Sequence, residues 1–191
     1  MLREVALKTH NALSRAKVDY FLIGKVASSC WGMPAATANI DIVIVAKEKE
    51  MDELLQELKK EGFDFNYDKV KSKLLDKLPA KLNYKEGYSI DLRVASYTID
   101  LEALKRAVKL KIFNKEWKIA PPEEIIIYKL ASAKPSDWED IKGILKNEAL
   151  DLDWVRMEYL TKTLAREYKA DFIERFEELK DFYEKLKSHY S

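Results

Sequence analysis

Apolar and polar positions alternate along the chain with two different periods. Leu2, Val5, Ala6, Leu13 and Ala16 recur at helical spacing, so residues 2–17 predict an amphipathic helix. Phe21, Leu22 and Ile23 form a short apolar run that stops at Gly24. Glycine suits a sharp turn there, because it reaches backbone angles that other residues avoid. Residues 26–31 are small and helix-compatible, and Gly32 and Pro34 break them. From Asn39 to Val45 the chain alternates and then turns fully apolar, as a half-buried strand does. Residues two apart on a strand share a face, so Asn39 and Asp41 project together near the turn after Gly24.

Further along, Met51, Leu54, Leu55 and Leu58 mark one face of a helix over 48–61, with Gly62 as its stop. Phe63 and Phe65 alternate with polar neighbours and suggest the start of another strand. Residues 69–85 carry six lysines and Pro79, and their pattern assigns no element until Leu82. Leu82–Tyr84 and Tyr88–Val94 read as paired strands around a Lys85-Glu86-Gly87 turn. A helix follows over 99–108, then a hairpin made of 110–113 and 117–119 around Asn114-Lys115. Pro121-Pro122 marks a boundary and suits a helix start. Helices are expected over 123–132 and 136–147, the second with Ser136 as N-cap and Glu139 three residues later. Residues 151–191 continue as one or two long helices. Their apolar positions, among them Val155, Tyr159, Leu160, Leu164 and Phe176, form a packing face against the domain or a dimer partner. The expected class is α/β (α+β): a mixed sheet flanked by helices over 1–120, then a helical subdomain over 121–191.

Composition narrows the setting. The 191 residues, 47% apolar, suffice for one sizeable domain or a domain with an appendage. Net charge is +1, so no global field points to nucleic acid or membrane. Locally, residues 69–118 hold 13 Lys and Arg against 6 Asp and Glu. Such a region beside a carboxylate site suits triphosphate or RNA, or is simply a solvated lysine-rich surface. Cys30 is the single cysteine, which rules out an internal disulfide framework and fits a reducing compartment. No run of about 18 apolar residues occurs, so no membrane span is expected, and the N-terminus lacks the apolar core of a secretory signal. These features predict a cytoplasmic protein. His10 and His189 have no triad partner nearby and read as surface or boundary residues.

The stretch Tyr20–Val45, YFLIGKVASSCWGMPAATANIDIVIV, resembles the signature of the DNA polymerase β-like nucleotidyltransferase superfamily, in the small prokaryotic branch related to abortive-infection toxin-type enzymes. That signature is an apolar strand, Gly followed by Gly or Ser, a short helix, and two acids separated by one apolar residue. A third acid lies on a later strand. Here Gly24-Lys25 and Asn39-Ile40-Asp41 match that spacing, and Asp91 in Tyr88-Ser-Ile-Asp-Leu-Arg93 matches the third acid. The resemblance extends to Pro122–Leu130 and Asp137-Trp-Glu-Asp140-Ile, and covers about residues 18–146. Three positions depart from it. Lys25 replaces Gly or Ser, Asn39 replaces the first acid, and Ala36 stands where an arginine often precedes the threonine, here Thr37.

The resemblance implies transfer of a nucleoside monophosphate from a nucleoside triphosphate to a hydroxyl of a small molecule, RNA or protein. Two divalent ions about 4 Å apart, magnesium or manganese, drive such chemistry when carboxylates hold them. Asp41, Asp91 and Asn39 would form the catalytic and metal-binding set, with Asp91 serving the ion that activates the nucleophile. Gly24, Lys25 and Ser28 would receive the triphosphate at a helix N-terminus, and Lys129 and Asp137 would lie near the nucleotide. From the residues alone, Asp91 has a simpler partner in Arg93 on its own face, and Lys129 and Asp137 are ordinary helix residues. The departures leave two functional expectations. One is an enzyme with a degenerate motif. The other is a non-catalytic member of the fold that binds nucleotide or RNA, or acts as a toxin–antitoxin-type partner.

Overall fold

The computed structural model describes residues 1–168 and 172–190. Helix α1 (Leu2–Ala16) leads into strand β1 (Asp19–Ile23), helix α2 (Gly24–Trp31) and strand β2 (Asn39–Val45). Helices α3 (Glu48–Lys60) and α4 (Tyr67–Leu75) precede β3 (Ala80–Asn83) and β4 (Ser89–Val94). Helix α5 (Thr98–Arg106) and the hairpin β5 (Val108–Ile112) and β6 (Lys115–Ile119) complete the sheet. Helices α6 (Pro122–Ser132), α7 (Pro135–Leu145), α8 (Trp154–Tyr168) and α9 (Ile173–Tyr190) follow. The side chain of His189, and residues 169–171 and 191 of the stretch expected to be helical, lie outside the described residues.

The six strands form one mixed sheet in the order β3-β4-β2-β1-β6-β5. β1 runs antiparallel to β2 and parallel to β6, while β2 runs parallel to β4. Strand alternation decides what each face carries. Ile40, Ile42 and Ile44 are buried on one face, the side on which α1 stacks His10 edge-on against Trp117 of β6. The other face presents Asn39, Asp41 and Val43 of β2, Phe21 and Ile23 of β1, and Asp91 and Arg93 of β4. α2, α5 and α6 cover that second face, and α7 and α8 pack on α6. This placement leaves Asp41 against the start of α2, with Asp91 beside it on β4.

Several local expectations change in the structure. Phe63 and Phe65 begin no strand; a single bridge, Asp64 with Asn83, is all the pairing there. The lysine-rich stretch holds α4, whose N-terminus is capped by the Asn66 side chain accepting from the Lys69 amide at 2.9 Å. The helix over 99–108 ends at Arg106, and Val108 opens β5 instead. α7 starts one residue earlier than expected, and its cap is not Ser136. The Asp137 carboxylate accepts from the Lys134 amide at 3.1 Å, with Pro135 in the first turn. In α8 the packing face is Met157, Leu160 and Leu164, whereas Val155 and Tyr159 stand 82% and 54% exposed.

Candidate functional site

The site begins at Gly24. Ile23 is still extended, and Gly24 turns into α2 with φ +66°, in the left-handed region that favours glycine. A Cβ at this position would lie 2.1 Å from Asp41 Oδ2. Only glycine therefore lets the helix start come this close to the carboxylate. One residue on, Lys25 Nζ binds Asp140 Oδ1 of α7 at 2.6 Å. Ser28 is buried, and its hydroxyl donates to the Lys25 carbonyl at 3.1 Å. Ser29 donates to the same carbonyl at 2.8 Å and accepts from the Ala35 amide at 3.2 Å, tying the following loop to α2.

Asp41 and Asp91 are direct register partners on the parallel strands β2 and β4. The Asn39 amide sits between them, donating to Asp41 Oδ1 at 3.0 Å and to Asp91 Oδ2 at 2.9 Å. Its own oxygen accepts from the Ser89 hydroxyl at 3.0 Å. Thr37 anchors the strand start, bonding both the amide and the carbonyl of Asn39 at 3.1 Å. Burial raises the Asp41 carboxyl, and the neighbouring Asp91 charge raises it further, to about 6. The charges of Lys134 and Lys129 and the Asn39 hydrogen bond offset only part of this.

The two residues from the helical segment lie in a separate ionic cluster. Lys129 is buried and binds Asp137 Oδ1 at 3.1 Å and Asp140 Oδ2 at 2.6 Å. Burial pushes the Asp137 carboxyl up, but the Lys129 bond and charge outweigh it and hold the group below the usual range. Asp140 thus bridges Lys129 and Lys25, joining α6, α7 and the start of α2. Sequence reasoning gave Asp140 no role. Its signal was the Asp137-x-x-Asp140 spacing, which places both acids on one helix face behind a buried lysine.

Arg93 does not pair with Asp91. It donates through two nitrogens to Asp100 of α5, at 2.7 and 2.6 Å, and lies 5.3 Å from the ring centre of Tyr128. Neighbouring side chains on one strand face point in parallel, whereas α5 folds over the sheet and brings its carboxylate to the guanidinium. Asp91 is left with Asn39. Many lysines of the basic stretch are spent on the surface: Lys71 pairs with Glu48 and Asp52, Lys109 with Glu116, and Lys118 with Asp19.

Two carboxylates and an amide are the donor set here. Among the described residues no group of three or more His, Cys, Asp or Glu is placed to hold a metal ion. Asp41 and Asp91 are hard oxygen ligands of the kind magnesium takes, together with phosphate oxygens and water. Their mutual repulsion is what a cation relieves. The chemistry of these two acids suits one divalent ion rather than a pair, because among the described residues no third carboxylate stands with them.

No protein-family model matches the sequence, and no curated protein does. Solved structures do match the fold. ANT(2'')-Ia in complex with adenylyl-2''-tobramycin superposes with a TM-score of 0.56 at 14% identity, covering 87% of this chain and 98% of that one. The solution structure of the same antibiotic-resistance factor gives 0.54 at 13% identity, covering 87% and 92%. The lincosamide antibiotic adenylyltransferase LnuA, with lincomycin bound, gives 0.51 at 14% identity, covering 71% and 91%. The chain has the nucleotidyltransferase fold. The six-stranded mixed sheet and the helices packed on it are its parts here. No described helix is long and apolar enough to cross a membrane.

Proposed function

We propose that this protein transfers a nucleoside monophosphate from a nucleoside triphosphate to a hydroxyl acceptor, using a site reduced to two carboxylates. The observation that carries this reading is the register pairing of Asp41 with Asp91 directly beneath the glycine turn. Amides at the start of α2 bind the triphosphate, since a helix N-terminus favours anions. Lys25 and Lys129 supply positive charge on the side of α7, and Lys25 reaches phosphate if it leaves Asp140. Asp137 orients Lys129. Ser28 acts through the backbone, holding the Lys25 carbonyl and the first turn of α2. Asp41 and Asp91 hold one divalent ion, magnesium or manganese, which when bound neutralises charge on the phosphates. Asn39 would offer its amide oxygen as a neutral ligand beside the two acids. Residues 1–120 form the core that carries Asp41 and Asp91, and 121–191 form the C-terminal subdomain, whose helices α6 and α7 bring Lys129 and Asp137. The bound products and substrates named for ANT(2'')-Ia and LnuA support a small-molecule acceptor.

One observation favours a second reading. The Asn39 amide already donates to both carboxylates, in the place of a cation, and Asp140 already holds Lys25. A protein so arranged binds nucleotide or RNA without turnover, or serves as a toxin–antitoxin-type partner. Calorimetric titration of ATP, GTP, CTP and UTP, with magnesium and with EDTA, separates the two. Magnesium-dependent binding that is lost in Asp41→Ala is expected for the transferase. Magnesium-independent binding favours the second reading, and no binding of any triphosphate overturns both nucleotide roles.

A further inference from the structure

The sheet face that carries Asp41 and Asp91 continues along the strands into a cavity of about 330 Å³. The cavity begins at Ile23, the residue before Gly24 and the register partner of Asp41. It reaches Arg93, two residues past Asp91 on the same face, a step of about 6.6 Å along a strand. Its size lies at the lower end of the range for small-molecule pockets, about 300–1,000 Å³. Tyr97, Tyr128 and Tyr168 form its walls, with Ile23 and Leu164 between them. The Tyr97 and Tyr168 rings lie 4.8 Å apart, and Tyr168 is 55% exposed at the mouth.

The charge of this cavity is one-sided. Asp100 lies fully buried behind it and is saturated. It accepts from both Arg93 nitrogens, from the Ser96 and Tyr97 amides and from the Tyr128 hydroxyl. Lys77 lines the opening, and among the described residues no carboxylate lies in ion-pair contact with it. Among the described lining residues a ligand meets aromatic faces, one ammonium free of ion pairs and no carboxylate, while Asp41 and Asp91 beyond Ile23 are engaged by the divalent ion of the transferase reading. Flat rings gain from stacking on tyrosine. A polyamine would bring its charges up to Arg93 and Lys77 with no carboxylate of the described lining to pair them, which is a penalty against that class.

We propose that this cavity is the acceptor subsite and that it takes a neutral or anionic aromatic alcohol or phenol, not an amine-rich sugar. The proposal rests on the transferase reading above. The acceptor oxygen forms a bond to the α-phosphorus while the bond from that phosphorus to the bridging oxygen of pyrophosphate breaks. The hydroxyl proton passes to Asp91, and pyrophosphate leaves with the electron pair. Asp91 is placed for this because it stands between the glycine turn and the cavity on one strand face.

The test titrates 2-naphthol and tobramycin separately into the full chain by calorimetry, alongside Tyr168→Ala, which removes a wall, and Ala131→Trp, which fills the cavity from α6. ATP with magnesium is titrated into all three proteins. The expected result is binding of 2-naphthol and not of tobramycin. Loss of the ring contact in Tyr168→Ala weakens naphthol about tenfold, and Ala131→Trp abolishes its binding. ATP binding is unchanged in both variants, which shows that they are folded. Should a variant lose ATP binding as well, thermal unfolding identifies misfolding, and Tyr97→Leu replaces it in the series. Tobramycin binding as well as naphthol, or naphthol indifferent to the substitutions, overturns the acceptor class while leaving the transferase reading intact. ATP that fails to bind the wild type overturns that reading and the acceptor role with it, whatever naphthol does.

Discussion

Two buried acids on neighbouring parts of this molecule face opposite electrostatic company. Asp100 sits against Arg93, and Asp41 sits against Asp91, only two residues earlier along β4. Burial alone pushes both carboxyls up. At Asp100 the two Arg93 bonds, the guanidinium charge, the Ser96 amide and the Tyr128 hydroxyl outweigh it and hold the group below the usual range. At Asp41 the nearest charge is another carboxylate, and the group rises to about 6. The first cluster is closed: opposite charges meet with two hydrogen bonds, Tyr128 adds a third, and the cluster pins α5 and α6 to the sheet. The second is open. Two like charges share one neutral amide, an arrangement that gains most from an arriving cation.

The largest test of this contrast is Asp100→Ala. It strands Arg93 in the interior, and breaking a buried pair in this way costs about 3–5 kcal/mol, read by urea unfolding. A loss under about 1 kcal/mol would mean that the cluster is not the structural lock described here. Asp41→Asn should go the other way. A raised carboxyl favours the folded state fully at pH below its unfolded value of 3.8, and that contribution disappears as pH rises through about 6. At pH 7 the wild type therefore carries a penalty of up to about 3 kcal/mol that the asparagine variant lacks. Unfolding curves from pH 4 to 8 should show the wild type losing stability relative to the variant across that window. Parallel curves would remove the open cluster from the argument.

Gly24→Ala is expected to cost about 2 kcal/mol, from strain at φ +66° and the collision with Asp41. It should also abolish magnesium-dependent triphosphate binding if the start of α2 holds the phosphates. Full binding in this variant would move the nucleotide elsewhere. The smallest effect belongs to Asn39→Asp. Without metal the third carboxylate adds repulsion and lowers the melting temperature. With magnesium it adds a charged ligand, and affinity should rise about tenfold. A magnesium affinity unchanged by this substitution would mean that the clamp geometry around Asp41 and Asp91 is wrong.

Much of the fold was legible because its signals are local. The strand at 39–45, the glycine turn before α2, the helix over the first seventeen residues and the hairpin after Val108 follow from side-chain period and turn residues. α4 escaped because only Val70 and Leu74 mark its buried face among several lysines, and its clearest sign was the capping residue Asn66. The meeting of Asn39 with Asp41 was legible as well, since it needs only the two-residue period of one strand. Arg93 was misassigned to Asp91 for the same reason. A shared strand face is visible in sequence, whereas a helix folding across that face is not.

What the sequence determined by itself was thus the set of elements, the glycine at the turn, and the shared strand face of Asn39 and Asp41. Tertiary structure decided which charges neutralise each other. Lys25 reaches Asp140 across 115 residues of sequence, Asn39 reaches Asp91 across 52, and Asp100 saturates Arg93 while leaving the two site carboxylates to share an amide. The physical reason is range. Periodicity and turn preference act between neighbours in the chain, but a charge responds to whatever lies within a few ångströms of it, and that is set by strand order and helix packing.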